Sequence, residues 1–242
     1  MPVPERKLQS PSPQPGALGR GRTNTAANLI YRALRDDIVS MRRKPGRPMN
    51  EKEIALAHRV SRTPVREALL RLADEQLVEI FPQSGTIVAR IPVGALPEAI
   101  LVRKALEETT ARLAAEHASR DQIAELHKTI ERQRRMKTKA DRERFHQADE
   151  AFHAAIADAA GHPAIWNLVL QVKMQVDRYR RLTLPLPGRM GRVLEEHGAI
   201  VAAIEAHDPE RAAASMIKHL DGLRASIGDI RDLNPEYFVD GR

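Results

Sequence analysis

Hydrophobic positions recur at helical spacing over most of this chain, and the breaks in that spacing mark its organisation. Ala27, Ile30, Leu34, Ile38 and Met41 fall on one face of a helix over 25–41. Pro45-Gly46 interrupts the pattern before Asn50, which is suited to cap a short helix over 50–59. After Val60 a third helix begins, with Ser61 as its cap and Thr63 and Pro64 in its first turn. Val65, Leu69 and Leu72 form its buried back. The period then shortens: residues 77–81 and 86–89 read as two short strands around Pro82-Gln83-Ser84-Gly85. From residue 96 the helical period returns and stays. It predicts helices over 96–117, 121–137, 141–160, 163–184, 190–207 and 209–227, with Asp121, Asp141 and Asp208 as caps. No strand-like alternation follows the hairpin.

The elements predict a mostly α protein in two parts. An N-terminal winged helix-turn-helix, three helices plus a two-stranded wing, precedes an all-α antiparallel bundle of about six helices. The expected bounds are a disordered basic tail over 1–22, the DNA-binding domain over 23–90 and a linker over 91–96. A second, helical domain over 97–230, to which the family resemblance given below assigns effector binding and dimerisation, and a loose end over 231–242 complete the chain.

Charge sharpens this division. The chain of 242 residues carries a net +7. Residues 1–92 hold 16 Lys and Arg against 9 Asp and Glu, whereas residues 93–242 hold 23 of each. The basic excess therefore lies wholly with the helix-turn-helix, the footprint of a nucleic-acid partner. Cysteine is absent, which excludes disulfides and thiolate sites and suits a reducing cytoplasm. No apolar run approaches the ~18 residues of a membrane span.

Two constellations carry candidate chemistry. Arg62 and Arg66 stand on the exposed face of the third helix near its N-terminus, where a guanidinium can pair bidentately with guanine in a major groove. Farther on, polar residues fall on inward faces. Asp149 and His153 share a stripe with Phe145, Phe152 and Ile156. His197 shares one with Val193, Ile200 and Ile204, and His219 one with Met216, Leu220 and Leu223. One inward histidine is an ordinary core residue. Three with an aspartate, from three helices of one bundle, suit a divalent metal: zinc first, with nickel, manganese and iron as alternatives.

The run Ser-Arg-Thr-Pro-Val-Arg-Glu-Ala-Leu from Ser61 to Leu69 resembles the signature of the GntR family of winged helix-turn-helix regulators. The resemblance implies DNA contacts at Lys52, Ser61, Arg62, Thr63 and Arg66, and a wing tip at Gly85 that enters the minor groove. Gln76 departs from the usual glycine, and Ser84 from a common basic residue. Asp149-Glu150-Ala151-Phe152-His153, Glu196-His197 and Lys218-His219-Leu220 resemble the effector domain of the FadR subfamily. That likeness implies Asp149, His153, His197 and His219 as metal ligands and Arg103 as a partner for an effector carboxylate. Arg178, Arg181 and Arg192 are weaker candidates for the same pocket. His162 stands where asparagine is usual and is not counted as a ligand. The function implied is a dimeric, non-enzymatic regulator, a repressor of a near-palindromic operator that responds to a small carboxylate. A metal-dependent hydrolase or lyase with a basic accessory domain, and an architectural DNA-binding protein without effector, are the alternatives.

Overall fold

The computed structural model describes residues 25–136 and 139–240, so the tail expected over 1–22 lies outside it. Helix α1 (Ala26–Val39) starts where the Thr25 hydroxyl accepts the Asn28 N–H, and it buries Ala27, Ile30, Leu34 and Ile38. Met41 was expected on the same stripe. It lies beyond the helix, half-exposed in a left-handed turn at φ 62°. In α2 (Glu51–His58) the Asn50 side chain accepts from the amides of Lys52 and Glu53, satisfying two N–H groups that the helix leaves open. Helix α3 (Arg62–Asp74) packs Val65, Ala68, Leu69 and Leu72 inward.

Strands β2 (Val78–Phe81) and β3 (Gly85–Val88) form the antiparallel wing, with Phe81 opposite Gly85 at its tip. A strand not read from sequence, β1 (Pro48–Met49), pairs with β3 on its other side. Two residues, one of them proline, carry no alternation to read.

Beyond the wing come β4 (Ile91–Pro92) and the helices α4 (Ala95–His117), α5 (Arg120–Arg134), α6 (Arg142–Ala159) and α7 (Pro163–Val172). Then follow α8 (Met174–Thr183), α9 (Arg189–Glu205), α10 (Pro209–Arg224), α11 (Ile227–Leu233) and β5 (Phe238–Val239). The single helix expected over 163–184 is thus two helices meeting at Lys173, and a short helix follows α10. The cap of α5 is Ser119, in a reciprocal capping box with Gln122, and not Asp121. Asp141 makes no cap bond with its side chain, which lies 3.5 Å from Arg144.

The segments expected to be a free linker and a loose end hold each other. Strand β5 lies parallel to β4, with Ile91 opposite Phe238 and Pro92 opposite Val239. The Val93 N–H donates to the Val239 carbonyl at 3.1 Å. Ile91 and Phe238 are buried in the bundle core with Leu96, Ile100, Tyr179 and Leu223. A pairing that spans nearly the whole bundle leaves no local trace in sequence. The helix-turn-helix has a core of its own, and Met174 at the start of α8 packs against it. Among the described residues no helix is long and apolar enough to cross a membrane.

Phe238→Ala should lower the free energy of unfolding by about 3 kcal/mol, the usual cost of removing a buried ring. An unchanged denaturant midpoint would show that the chain end is not docked.

Candidate functional site

The face expected to meet DNA is open. Arg62, Thr63 and Arg66 occupy the first turns of α3 and are exposed, as is Lys52 at the start of α2. Ser61 sits at the N-cap of α3 in extended backbone, yet its side chain makes no cap hydrogen bond, contrary to the sequence reading. Gly85 adopts φ +112°, which L side chains rarely take, and is exposed at the wing tip. Arg66 Nε lies 2.9 Å from Glu51 Oε2. A solvated pair of this kind contributes about 1 kcal/mol or less, so it leaves the guanidinium available to a stronger partner.

Gln76, where the family resemblance expects glycine, takes φ 56° in the turn between α3 and β2. The geometry explains that expectation: the turn needs a left-handed residue, and a non-glycine there costs roughly 1 kcal/mol.

The four inward polar residues converge. Asp149 and His153 come from α6, His197 from α9 and His219 from α10, and all four are buried. One ligand atom from each lies within 4.8 Å of the other three. His197 Nε2 is 3.5 Å from Asp149 Oδ1, and His153 Nε2 is 3.7 Å from Asp149 Oδ2. The outward nitrogens are engaged elsewhere. His153 Nδ1 lies 2.6 Å from Glu107 Oε2, His197 Nδ1 lies 2.9 Å from Gln133 Oε1, and His219 Nδ1 lies 2.8 Å from Glu196 Oε2. An imidazole that donates from Nδ1 presents its Nε2 lone pair; His197 and His219 are held that way, while His153 Nδ1 is close to Glu107 without a hydrogen bond. Phe152 stacks on His197 at 3.9 Å between ring centroids and fixes its plane.

Orphaned atoms test what this arrangement suits. Asp149 Oδ1, His153 Nε2 and His197 Nε2 are buried with no hydrogen-bond partner. Such atoms are costly unless something compensates them. Three nitrogens and a carboxylate oxygen, with held outer partners, fit a divalent transition metal.

The electrostatics keep the donors in their ligating forms. Burial pushes the Asp149 carboxyl up, but the Arg180 guanidinium, donating to Oδ2 at 2.5 Å, and the neighbouring imidazoles bring it well below the usual carboxylate range. Burial drives His197 well below 6.5, helped by His219, His153 and Arg180 and opposed by Asp149. Burial also lowers His219, against the opposing pull of Glu196.

Arg103 is 1% exposed on α4 and donates to Glu107 at 2.6 Å, while its Nη1 is buried without a partner. The pair is interior. Sequence reading missed Glu107, Gln133, Glu196 and Arg180. Glu107 alone left a signal, on the inward stripe of Ile100, Arg103, Thr110 and Ala114. Of the weaker arginine candidates, Arg178 points to the linker, Arg181 pairs with Glu143 and Arg192 is exposed. A second group, His146, Glu150 and Asp177, is bridged by the Lys173 ammonium, which bonds both carboxylates.

Comparison with known proteins gives the same two-part division. Residues 26–88 match the family described as bacterial regulatory proteins, gntR family, and residues 98–222 match the FCD domain. The HTH-type transcriptional repressor RspR of Escherichia coli is 32% identical over 90% of this chain and 96% of its own length. An uncharacterised HTH-type transcriptional regulator in an unstable DNA locus of Streptomyces ambofaciens is 34% identical over 90% of this chain and 91% of its own. The solved structure of E. coli McbR/YncC shares the fold, with TM-score 0.70 at 23% identity over 86% of this chain and 99% of that one. A GntR-type DNA-binding domain followed by an FCD domain, in a chain this similar to known regulators, places the protein in the GntR family of transcriptional regulators, among its FadR-like members.

Proposed function

We propose that the protein is a homodimeric cytoplasmic repressor whose grip on a near-palindromic operator is released by a small carboxylate bound beside a divalent metal. The observation that carries this reading is the convergence of Asp149, His153, His197 and His219, each histidine backed by an oxygen of Glu107, Gln133 or Glu196.

At the DNA end, Arg62 and Arg66 read guanine edges in the major groove. Lys52, Ser61 and Thr63 contact the backbone, and Gly85 lets the wing tip approach the minor groove. Two copies read two half-sites. At the other end the four ligands hold the metal, with zinc the best match to three imidazoles and a carboxylate. When bound, the metal supplies a positive charge that attracts an anionic effector. Arg103 supplies directional hydrogen bonds through the Nη1 that its Glu107 partner leaves open. Repression is the outcome printed for the E. coli relative RspR, and it is the sign adopted for this chain.

Three outcomes follow. Arg62→Ala should weaken binding to a selected operator about 10- to 100-fold, the value of a bidentate base contact, and leave affinity for random duplex within about twofold. Equal loss on both duplexes, by fluorescence anisotropy, would remove the base-reading role. In calorimetric titration of chelator-stripped protein, Gln133→Ala should reduce zinc affinity roughly 10- to 100-fold, as loss of an outer partner does, and His197→Ala should reduce it further. A zinc affinity indifferent to His197→Ala excludes this site. Because His197 and His219 are held below 6.5, they stay neutral as the pH falls through that value, and their contribution to metal binding persists. Zinc affinity should therefore fall by less than about tenfold between pH 7.5 and 6.0, against the roughly 50-fold that three imidazoles titrating near 6.5 would give. A loss of tenfold or more in that window would show ordinary histidines.

A further inference from the structure

The same short helix touches both halves of the molecule. Arg180 on α8 donates to Asp149 of the buried cluster at 2.5 Å. Two residues earlier, and so on the opposite side of the helix, Arg178 Nη2 donates to the Ala89 carbonyl at 2.5 Å. Ala89 is where the chain leaves the wing for the linker. One turn before Arg178, and on its side, Gln175 Nε2 donates to the carbonyl of Gln76 at 3.4 Å. That carbonyl belongs to the left-handed turn after the recognition helix α3. Met174 packs against the DNA-binding core, and its sulfur accepts from Arg35 Nη2 at 3.5 Å. The start of α8 is pinned to α6 through Lys173 and Glu150, one residue from Asp149.

Arg178 is the unusual member of this set. It is fully buried, and among the described residues its recorded partners are the Ala89 carbonyl and Gln175 Oε1 at 3.0 Å, neither of them charged. Its Nε has no partner at all, and burial pushes the guanidinium down to about 10. A buried cation without a counter-charge does not serve stability. It does fix one backbone carbonyl at the point where the two domains join.

We propose that α8 is the lever between the metal cluster and the DNA-binding domain, with Arg180 as its grip on Asp149 and Arg178 as its grip on the linker. Both arginines are positioning residues. The inference rests on the metal reading of the cluster. A divalent cation on Asp149 Oδ1 draws charge from the carboxylate whose Oδ2 holds Arg180, and so loosens that ion pair. A ten-residue helix passes a displacement at 180 to 178 and 175 as a rigid body, and these contacts set the linker and the turn behind α3.

The test uses the full chain, stripped with a chelator and then loaded with zinc. Zinc binding is read by calorimetry and by fluorescence of Trp166, the sole tryptophan, whose ring lies 6.0 Å from the His153 ring. The linker is read by hydrogen exchange at the amides of Ala89 and Val93, which bond the carbonyls of Leu77 and Val239. In the wild type, zinc should speed exchange at these amides by about fivefold or more. Arg178→Met should bind zinc within about twofold of wild type while the zinc-dependent change in exchange falls below about twofold. Gln175→Ala, a milder change, should reduce the response in part with zinc affinity intact, which keeps the test decisive if Arg178→Met does not fold. Zinc binding without any change at the linker, or a full response in both variants, overturns the lever and leaves the metal site standing. A wild type that binds no zinc overturns the metal site and the lever together.

Discussion

The carboxylate of Asp149 is the constraint around which the bundle is arranged. It is wholly buried on α6, where an uncompensated charge costs several kcal/mol. Neutral imidazoles cannot cancel it, and burial keeps His197 and His219 towards their neutral forms. The compensating cation is Arg180, which arrives from α8. The break at Lys173 separates α7 from α8, and the Lys173 ammonium ties that break back to Glu150 and Asp177. Two adjacent carboxylates of α6 are thus each met by a cation from the α7–α8 corner.

A second buried pair, Arg103 with Glu107 on α4, closes the far side. Its free carboxylate oxygen faces His153, so the two ion pairs meet across one imidazole. Buried pairs add little net stability over apolar packing, but removing one partner strands the other at a cost of about 3–5 kcal/mol. Such pairs act on specificity. The Arg180–Asp149 pair ties α8 to α6, and the Glu107–His153 contact ties α4 to α6. The same arrangement leaves Asp149 Oδ1, His153 Nε2 and His197 Nε2 buried without hydrogen-bond partners.

How much of this could be read from the chain depends on the sequence distance over which each feature is determined. The helix-turn-helix was legible because its caps, apolar stripes and turn residues lie within about 20 positions of one another. The inward placement of Asp149, His153, His197 and His219 was legible for a different reason. A histidine or aspartate at the period of Phe145, Phe152 and Ile156 breaks the apolar stripe, and burial follows from period alone. Their supports were not legible. Gln133 meets His197 across 64 positions and Arg180 meets Asp149 across 31. An arginine in the run Arg178-Tyr179-Arg180-Arg181 cannot be assigned a partner before the helices are placed. Strands β1, β4 and β5, of two residues each, are products of tertiary contact and have no pattern of their own.

Charge ties the two halves into one account. The N-terminal part carries basic charge outward, at Arg62 and Arg66 on α3 and at Arg42, Lys44 and Arg47 ahead of α2. The distal part is balanced, yet it buries charge that most bundles keep in water. Outward charge makes affinity for DNA depend on salt. Inward charge makes the distal core sensitive to any ion or anion that enters it. The linker between them is held on both sides, by Arg178 at Ala89 and by β5 at Ile91 and Pro92, with Arg90 Nε donating to the Glu236 carbonyl. A linker anchored in this way cannot swing freely. The orientation of the DNA-binding face therefore follows the bundle, and a change in the buried charges has a mechanical route to the surface that meets the duplex.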